Sequence, residues 1–311
     1  MLRIRVKIEF TKIFVYLYSS IKYICVCFIK ISLRINILIK IQKDICVGFM
    51  GFGEIGSSLY RVYERADYTN LIKYDPSKNL NNSLRKCKIV NVCIPFFGLK
   101  QFCDAIKLLK LKPKTYLIIQ STIGVGTCDI IQQELDLIVI QSPVRGVHPN
   151  LSEGMITFDK YVGISEKYYN DTYIINFIKS HLIDINMKPV ICKAKESELA
   201  KIVSTTLYGI NIAAINDVFL MCKKHNVDFD IVFTKWQQDY NNGYTKLGKP
   251  NVCRPILTSI PVNKDGKQLI GGHCIIPNAV ILKNIGENEI ANYVLRYADD
   301  SNKKHITGAK H

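Results

Sequence analysis

Gly51-Phe52-Gly53-Glu54-Ile55-Gly56 places three glycines at fixed offsets just after a short apolar run, Ile45–Met50. Each glycine has a physical task in a loop that grips phosphate. The first allows a tight turn, the second lets a pyrophosphate approach the backbone, and the third lets helix and strand pack closely. The helix that follows offers free N–H groups and the positive end of its dipole. Asp75 lies 19 residues past Gly56, where the second strand of such a unit ends. A carboxylate there accepts from ribose hydroxyls and repels a 2′-phosphate, which favours NAD over NADP. Standing before Pro76, it is equally able to form a turn.

Three other places carry reactive side chains. Gly271-Gly272-His273-Cys274 sets a cysteine after two glycines. That is a tight turn able to expose a nucleophilic thiol, or a turn ahead of a buried Cys. His273 is a candidate base or a turn residue bonded to backbone. Lys201 sits in Glu198-Leu-Ala-Lys201 among apolar neighbours, either partly buried with a role or solvated on a helix face. Arg145, His148 and Glu153 cluster in SPVRGVHPNLSEG. There Arg145 could clamp a carboxylate or phosphate and His148 could move protons, or the stretch is a polar surface loop.

The elements that must position these residues follow from periodicity. Apolar runs at Ile45–Met50, Leu71–Tyr74, Ile89–Ile94, Tyr116–Gln120 and Leu137–Ile140 read as buried strands. Helical spacing falls between them, at Ser57–Arg65, Gly98–Leu109 and Thr127–Glu134. This alternation predicts a Rossmann-type α/β fold, a doubly wound parallel sheet with helices on both faces. Lys160–Ile164 and Pro189–Cys192 could close its far edge. Glu196–His225 then predicts one long central helix, followed by a helix over Phe229–Tyr240, a loop-rich stretch over 241–272 and a last helix near Asn278–Lys283. The expected organisation is an extension at 1–43, a dinucleotide-binding domain at 44–193 and a mostly helical substrate and dimerisation domain at 194–311.

Composition narrows the function classes. The chain has 311 residues and a net charge of +16. Residues 1–43 hold nine of the Lys and Arg against one acid, Glu9, so half of that excess lies in the first segment. The body is mildly basic, which suits an anionic small-molecule substrate. It has no basic stripe interleaved with aromatics, so nucleic acid is not expected. Eleven cysteines without a CxxC pair argue against zinc and against a disulfide framework, and suit a reducing, cytoplasmic setting. In 1–43 the longest uncharged run is Ile13–Ile21, too short for a membrane span. The segment reads as an over-called start, a loosely ordered or membrane-surface extension, or an anchor. Only in the last two cases would the protein meet a membrane.

Taken together, these residues resemble the UDP-glucose/GDP-mannose dehydrogenase family, within the superfamily of the 6-phosphogluconate dehydrogenases. The likeness spans most of 44–283. GFGEIG looks like the family's cofactor loop. NVCIPF (91–96) is similar to the segment where a strand ends in a proline, here Pro95, beside the nicotinamide. Ser121-Thr122-Ile-Gly-Val-Gly126-Thr127 resembles its STxxxGT loop, ELAK its central helix with the catalytic Lys, and GGHC its nucleophile loop. What the resemblance implies is oxidation of a sugar C6 alcohol with NAD. Cys274 would capture an aldehyde, Lys201 would stabilise oxyanions, and Thr122 would hydrogen-bond the reacting oxygen or a water. It also implies a homodimer through the long helix. The chain departs from the pattern at Val144, where the family has Glu, at Thr205, where it has Asn, and at Asn278, where it has Asp. The sequence ends soon after the Cys loop, so the family's C-terminal nucleotide-binding domain is not expected. Oxidation that stops at the aldehyde, a two-electron hydroxy-acid dehydrogenase in which Cys274 is incidental, and a non-catalytic NAD-binding protein remain as alternatives.

Overall fold

A computed structural model describes residues 43–146, 149–264, 266–271 and 274–298. Eight strands form one sheet: β1 (Val47–Met50), β2 (Leu71–Asp75), β3 (Leu80–Asn81), β4 (Ile89–Val92), β5 (Tyr116–Ile119), β6 (Ile138–Gln141), β7 (Lys160–Ile164) and β8 (Pro189–Lys193). Their order is β3-β2-β1-β4-β5-β6-β7-β8. Strands β2, β1, β4, β5 and β6 are parallel neighbours, with Val47 paired to Leu71 on one side and to Ile89 on the other. The chain winds from β1 out to β2 and returns on the opposite flank as β4. A crevice therefore opens at the carboxyl ends of β1 and β4, where such sheets bind ligands.

Burial explains the near-continuous apolar strands. All four residues of β1, β4, β5 and β6 are buried. On β5, Tyr116 and Ile118 face the layer of Tyr63, Ile178 and Leu182, while Leu117 and Ile119 face Phe102, Ile106 and Ile131. The first layer comes from helices α1 (Glu54–Arg65) and α5 (Thr172–Asp184), the second from α2 (Leu99–Leu108) and α3 (Thr127–Glu134). A strand with both faces covered cannot alternate polar and apolar.

The sheet's far side differs from its centre. Strand β7 runs against β6, with Gln141 opposite Gly163, and β8 is parallel to β7. The reversal carries the first residue of β7, Lys160, to the edge where β1, β4, β5 and β6 end. Helix α4 (Leu151–Thr157) fills the β6–β7 connection. Neither α4 nor α5 stands out in the sequence. The first is two turns long, and the second is apolar on much of its surface (Tyr173, Ile174, Ile175, Phe177, Ile178) and gives no single helical stripe.

Helix α6 runs from Ala194 to His225, two residues longer at its start than the spacing predicts. Glu196 accepts from the Lys193 N–H at 2.7 Å and closes that end, and Asn226 ends the helix with φ +55°. By length and composition this is the one helix among the described residues that could cross a membrane. Here it packs on the sheet. Gly163 of β7 has no Cβ because one would lie 2.0 Å from Ser197 Oγ. A π-helical turn (Asp230–Lys235) leads into α7 (Trp236–Lys246), so the second helix ends six residues beyond the expected Tyr240 and shortens the loop-rich stretch. Helices α8 (Ile275–Asn284) and α9 (Asn288–Leu295) close on α6. Gly209 of α6 makes room for Ile275, whose Cγ2 would sit 2.4 Å from a Cβ there. Ile281 and Leu282 meet Ile202, so α8 runs antiparallel to α6.

Candidate active site at the carboxyl edge of the sheet

The glycine loop occupies the crevice. Gly51 turns with φ +87°, and a Cβ on it would press on Ile94 and the Cys93 backbone at about 3.0 Å. At Gly56 a Cβ would lie 2.0 Å from the Gly51 carbonyl oxygen, which locks α1 against the end of β1. A Cβ on Gly53 would meet nothing within 4 Å. That open face, at the capping position of α1 with no side chain capping it, is where a pyrophosphate would come against free N–H groups. Glu54 begins α1, and half-buried Phe52 and Ile55 pack on the core.

Asp75 ends β2 beside this loop. Its Oδ2 accepts from the Phe52 N–H at 2.8 Å, and its Oδ1 accepts from the Ser77 hydroxyl at 2.6 Å. Partial burial works to raise this carboxyl. The Ser77 and Phe52 donors and the Lys78 ammonium outweigh it and hold the group below the usual carboxylate range. Asp75 is therefore an anion, fixed in orientation, with lone pairs left for hydroxyls. These residues fit an NAD-type dinucleotide.

The next strands bring up the reactive side. Pro95 is exposed at the end of the β4 segment. Ser121, buried, spends its hydroxyl on the Ile94 carbonyl at 2.6 Å and ties the β5 loop to the β4 loop. Thr122, beside it, is half-buried. The loop is held from above by Glu198 of α6, fully buried, whose carboxylate accepts from the N–H groups of Gly126 at 2.6 Å and Cys128 at 2.9 Å. Burial raises the Glu198 carboxyl, and those two N–H groups oppose the rise. Glu198 thus caps α3 and fixes α6 over the end of β5.

Lys201 lies one turn further along α6, on the same face as Glu198. Its ammonium makes no hydrogen bond to a described residue. Burial pushes its ammonium below the ordinary lysine range, Cys274 opposes that shift and Arg145 adds to it. The fold therefore brings Cys274 and Arg145, from two other elements, within electrostatic reach of Lys201. Cys274 is exposed at the start of α8. Arg145 lies over the Phe158 and Tyr161 rings at 5.2 and 5.6 Å. Asn278, one turn after Cys274, is buried. Thr205 donates to the Lys201 carbonyl at 3.1 Å, a bond within the helix. Val144 is buried and leaves no carboxylate at its position.

Glu153 is not part of this group. It projects from α4 to an exposed ion pair with Arg65 of α1 at 2.5 Å, so the Arg145–His148–Glu153 cluster does not close. Sequence adjacency hid the fact that a helix starts between them. His148, Gly272 and His273 lie outside the described residues, as does the segment 1–42.

Lys160 is the residue that sequence reading missed. It is buried beneath the site and donates to Gln120 Oε1 at 2.7 Å and to the carbonyls of Ser142 at 2.8 Å and Pro143 at 3.2 Å. Its one sequence signal is a lysine heading an otherwise largely apolar strand.

Comparison with known proteins gives the fold a family setting. No family model matches the chain. The UDP-glucose 6-dehydrogenase of Campylobacter jejuni is 22% identical over 268 residues, 80% of this chain and 64% of that protein. The chain thus spans less than two thirds of the length of this curated relative. Among solved structures, the UDP-D-ManNAc dehydrogenase of Pyrococcus horikoshii superposes with a TM-score of 0.64 at 15% identity, covering 84% of this chain and 69% of that one. The fold is shared with nucleotide-sugar dehydrogenases. The UDP-glucose dehydrogenase of Pyrobaculum islandicum gives 0.59 at 14% identity, over 82% and 68%. The 3-hydroxyisobutyrate dehydrogenase of Mycobacterium tuberculosis gives 0.52 at 17%, over 85% of this chain and 91% of that chain. At these identities the likeness is one of fold.

Proposed function

We propose that the chain is an NAD-dependent dehydrogenase that oxidises an alcohol carbon of a small anionic substrate, of the nucleotide-sugar or hydroxy-acid type. The observation that carries this reading is the convergence of Lys201, Cys274 and Arg145 on the edge that also bears the glycine loop and Asp75. Bound NAD supplies the hydride acceptor, held by Gly51–Gly56, Asp75 and the backbone around Pro95 and Ser121. Lys201, desolvated and without a carboxylate partner among the described residues, stabilises the alkoxide formed as the alcohol proton passes to water. Thr122 orients that oxygen from the β5 loop. Arg145 meets the substrate's anionic group from the loop after β6. On this reading Cys274 adds through Sγ to the aldehyde carbon, its proton passing to the carbonyl oxygen, with Asn278 one turn further along α8 and Thr205 one turn beyond Lys201 on α6.

A second reading has support of its own. Val144 and Asn278 provide no carboxylate for activating water, and the hydroxyisobutyrate dehydrogenase neighbour is matched over 91% of its length. Both suit a single two-electron oxidation with Cys274 idle. One experiment separates the readings. NADH formation is followed by its absorbance with UDP-glucose, other nucleotide sugars and 3-hydroxy acids, in the unaltered protein and in Lys201→Met and Cys274→Ser. On the leading reading Lys201→Met loses at least roughly a hundredfold in kcat, and Cys274→Ser stops aldehyde oxidation while sparing the alcohol step. Full activity of Cys274→Ser on every substrate gives the two-electron reading. No turnover of any substrate by the unaltered protein overturns both.

A further inference from the structure

At the edge of the sheet opposite the candidate site, two cysteines face each other. Cys46 stands one residue before β1, and Cys87 two residues before β4. The pairing of Val47 with Ile89 sets these positions side by side. Their backbones are tied in place. The Cys46 carbonyl accepts from the Lys88 N–H at 2.9 Å, and the Cys87 N–H donates to the Leu84 carbonyl at 3.0 Å. The Cys46 thiol donates to Cys87 Sγ at 3.1 Å. Glycine makes the room for this contact. A Cβ on Gly48 of β1 would lie 3.1 Å from Cys87 Sγ and 2.9 Å from Leu84.

The two thiols are not equivalent. Cys87 is buried in the layer of Leu84, Val90 and Phe102, and Cys46 is half-buried and packs against that layer. Burial, and then the neighbouring Cys46, push the Cys87 thiol up. Cys46 is therefore the sulfur that a reagent in solution reaches, and Cys87 the one held out of water against it. Buried cysteines commonly serve as small apolar side chains, as Cys103 and Cys128 do in the same layer. Contact between two sulfurs, one of them reachable, adds a chemistry to this pair. Bonded sulfurs stand about 2.05 Å apart, so about 1 Å of travel closes it.

We propose that Cys46 and Cys87 form a redox modification site, a dithiol that a hydroperoxide converts to a disulfide. The Cys46 sulfur, as a thiolate, attacks one peroxide oxygen. The O–O bond breaks, and the other oxygen leaves as an alcohol or water, carrying the proton that Cys46 gave up. Cys46 is then a sulfenic acid. Cys87 attacks the Cys46 sulfur, the S–O bond breaks, and hydroxide departs with the Cys87 proton as water. The two thiols lose one electron pair, and the peroxide gains it. The bridge closes a ring through residues 46–87, which holds the glycine loop, α1, β2 and Asp75. It thereby removes freedom from the unfolded chain. No group of the candidate active site takes part, because the glycine loop and Pro95 stand at the far ends of the same two strands.

Peptide mapping of the full chain tests this. The reduced protein is treated with hydrogen peroxide, its remaining thiols are blocked with iodoacetamide in denaturant, and unreduced peptides are read by mass spectrometry. The peptides of Cys46 and Cys87 should appear joined and two hydrogens lighter than their sum, with exposed Cys253 as the reference thiol. The oxidised protein should melt on the order of 5 °C higher than the reduced one. Dithiothreitol should reverse the rise, and Cys87→Ser should lack it. In Cys87→Ser the Cys46 sulfenic acid should be trapped by dimedone, and in Cys46→Ser Cys87 should stay open to iodoacetamide. Cys46 and Cys87 both alkylated at a peroxide dose that has oxidised Cys253 overturn the proposal, as does a bridge from Cys46 mainly to another cysteine. A bridge that leaves the melting temperature unchanged or lowers it also overturns it, because the pair would then join only by straining the sheet. Cys46 untrapped by dimedone in Cys87→Ser has the same force. Should either variant fail to fold, the peptide pattern and melting of the unaltered protein decide alone.

Discussion

Asp75 is the side chain on which the proposed preference for NAD turns. Its two oxygens already accept from Phe52 and Ser77, so its direction is decided before any ligand arrives. A ribose bearing two hydroxyls can donate to it, whereas a 2′-phosphate meets a fixed negative charge. On the proposed reading, NADH fluorescence titration gives a lower Kd than NADPH. Asp75→Ala weakens NADH roughly tenfold, the loss of charge-assisted hydrogen bonds, and narrows the gap between the two cofactors. Tighter binding of NADPH by the unaltered protein would remove Asp75 from this role. Thr205 shows the opposite outcome at this scale. Its hydroxyl has a partner in the Lys201 carbonyl, so it stands near the site with its proton committed to the helix.

At the scale of elements, the junction of β1 and α1 separates stability from binding. Gly56→Ala drives a Cβ to 2.0 Å from the Gly51 carbonyl oxygen, and backbone cannot give way there as a flexible side chain can. Urea unfolding should show a loss of about 1–3 kcal/mol. Gly53 is different, with φ −73° and no atom within 4 Å of its added Cβ. Gly53→Ala should unfold at the same urea concentration as the unaltered protein, yet bind NADH more weakly, because the methyl occupies the space of the pyrophosphate. Equal affinity for NADH in Gly53→Ala would show that phosphate does not lie on this loop. The same reasoning applies to α6 and α8, where Gly209 lets Ile275 close in and so carries Cys274 to the site.

For the molecule as a whole, His181 of α5, buried between the Tyr63 and Tyr68 hydroxyls, couples stability to pH. The His181 pKa is held at about 4 by burial, against an unfolded value near 6.5. Between those two values the unfolded chain binds the extra proton. The stabilisation from this group is therefore complete above about pH 6.5, falls as pH drops and is gone below about 4, with a span on the order of 3 kcal/mol. Thermal unfolding across about pH 7.5 to 4 should show that decline, and a flat midpoint across it would contradict a buried neutral histidine. Association belongs to the same scale. Leu207, Tyr208 and Met221 on α6 are 50%, 52% and 54% exposed, beside an apolar groove of about 500 Å³ lined by Val125, Leu199, Val203 and Leu282. We expect two copies to pair along α6. Sedimentation of the full chain should give a dimer, and Leu207→Asp a monomer; a monomer in both would count against pairing.

Much was decided by sequence alone. Five strands and the helices between them are legible because buried strands demand unbroken apolar runs and surface helices a 3.6-residue stripe. The glycine loop and Asp75 are legible because their spacing is set by local turn geometry. Helices α4, α5 and α9 were not, since a short helix and a helix buried broadly leave no clean period. The long helix could be read, but not what it meets. Only tertiary structure decided that Glu198 caps α3, that Glu153 turns away to Arg65, and that Lys160 crosses to the carboxyl edge through the reversal of β7. Those outcomes depend on contacts between residues 17 to 88 positions apart along the chain, and a buried charge is tolerated only where such distant partners satisfy it.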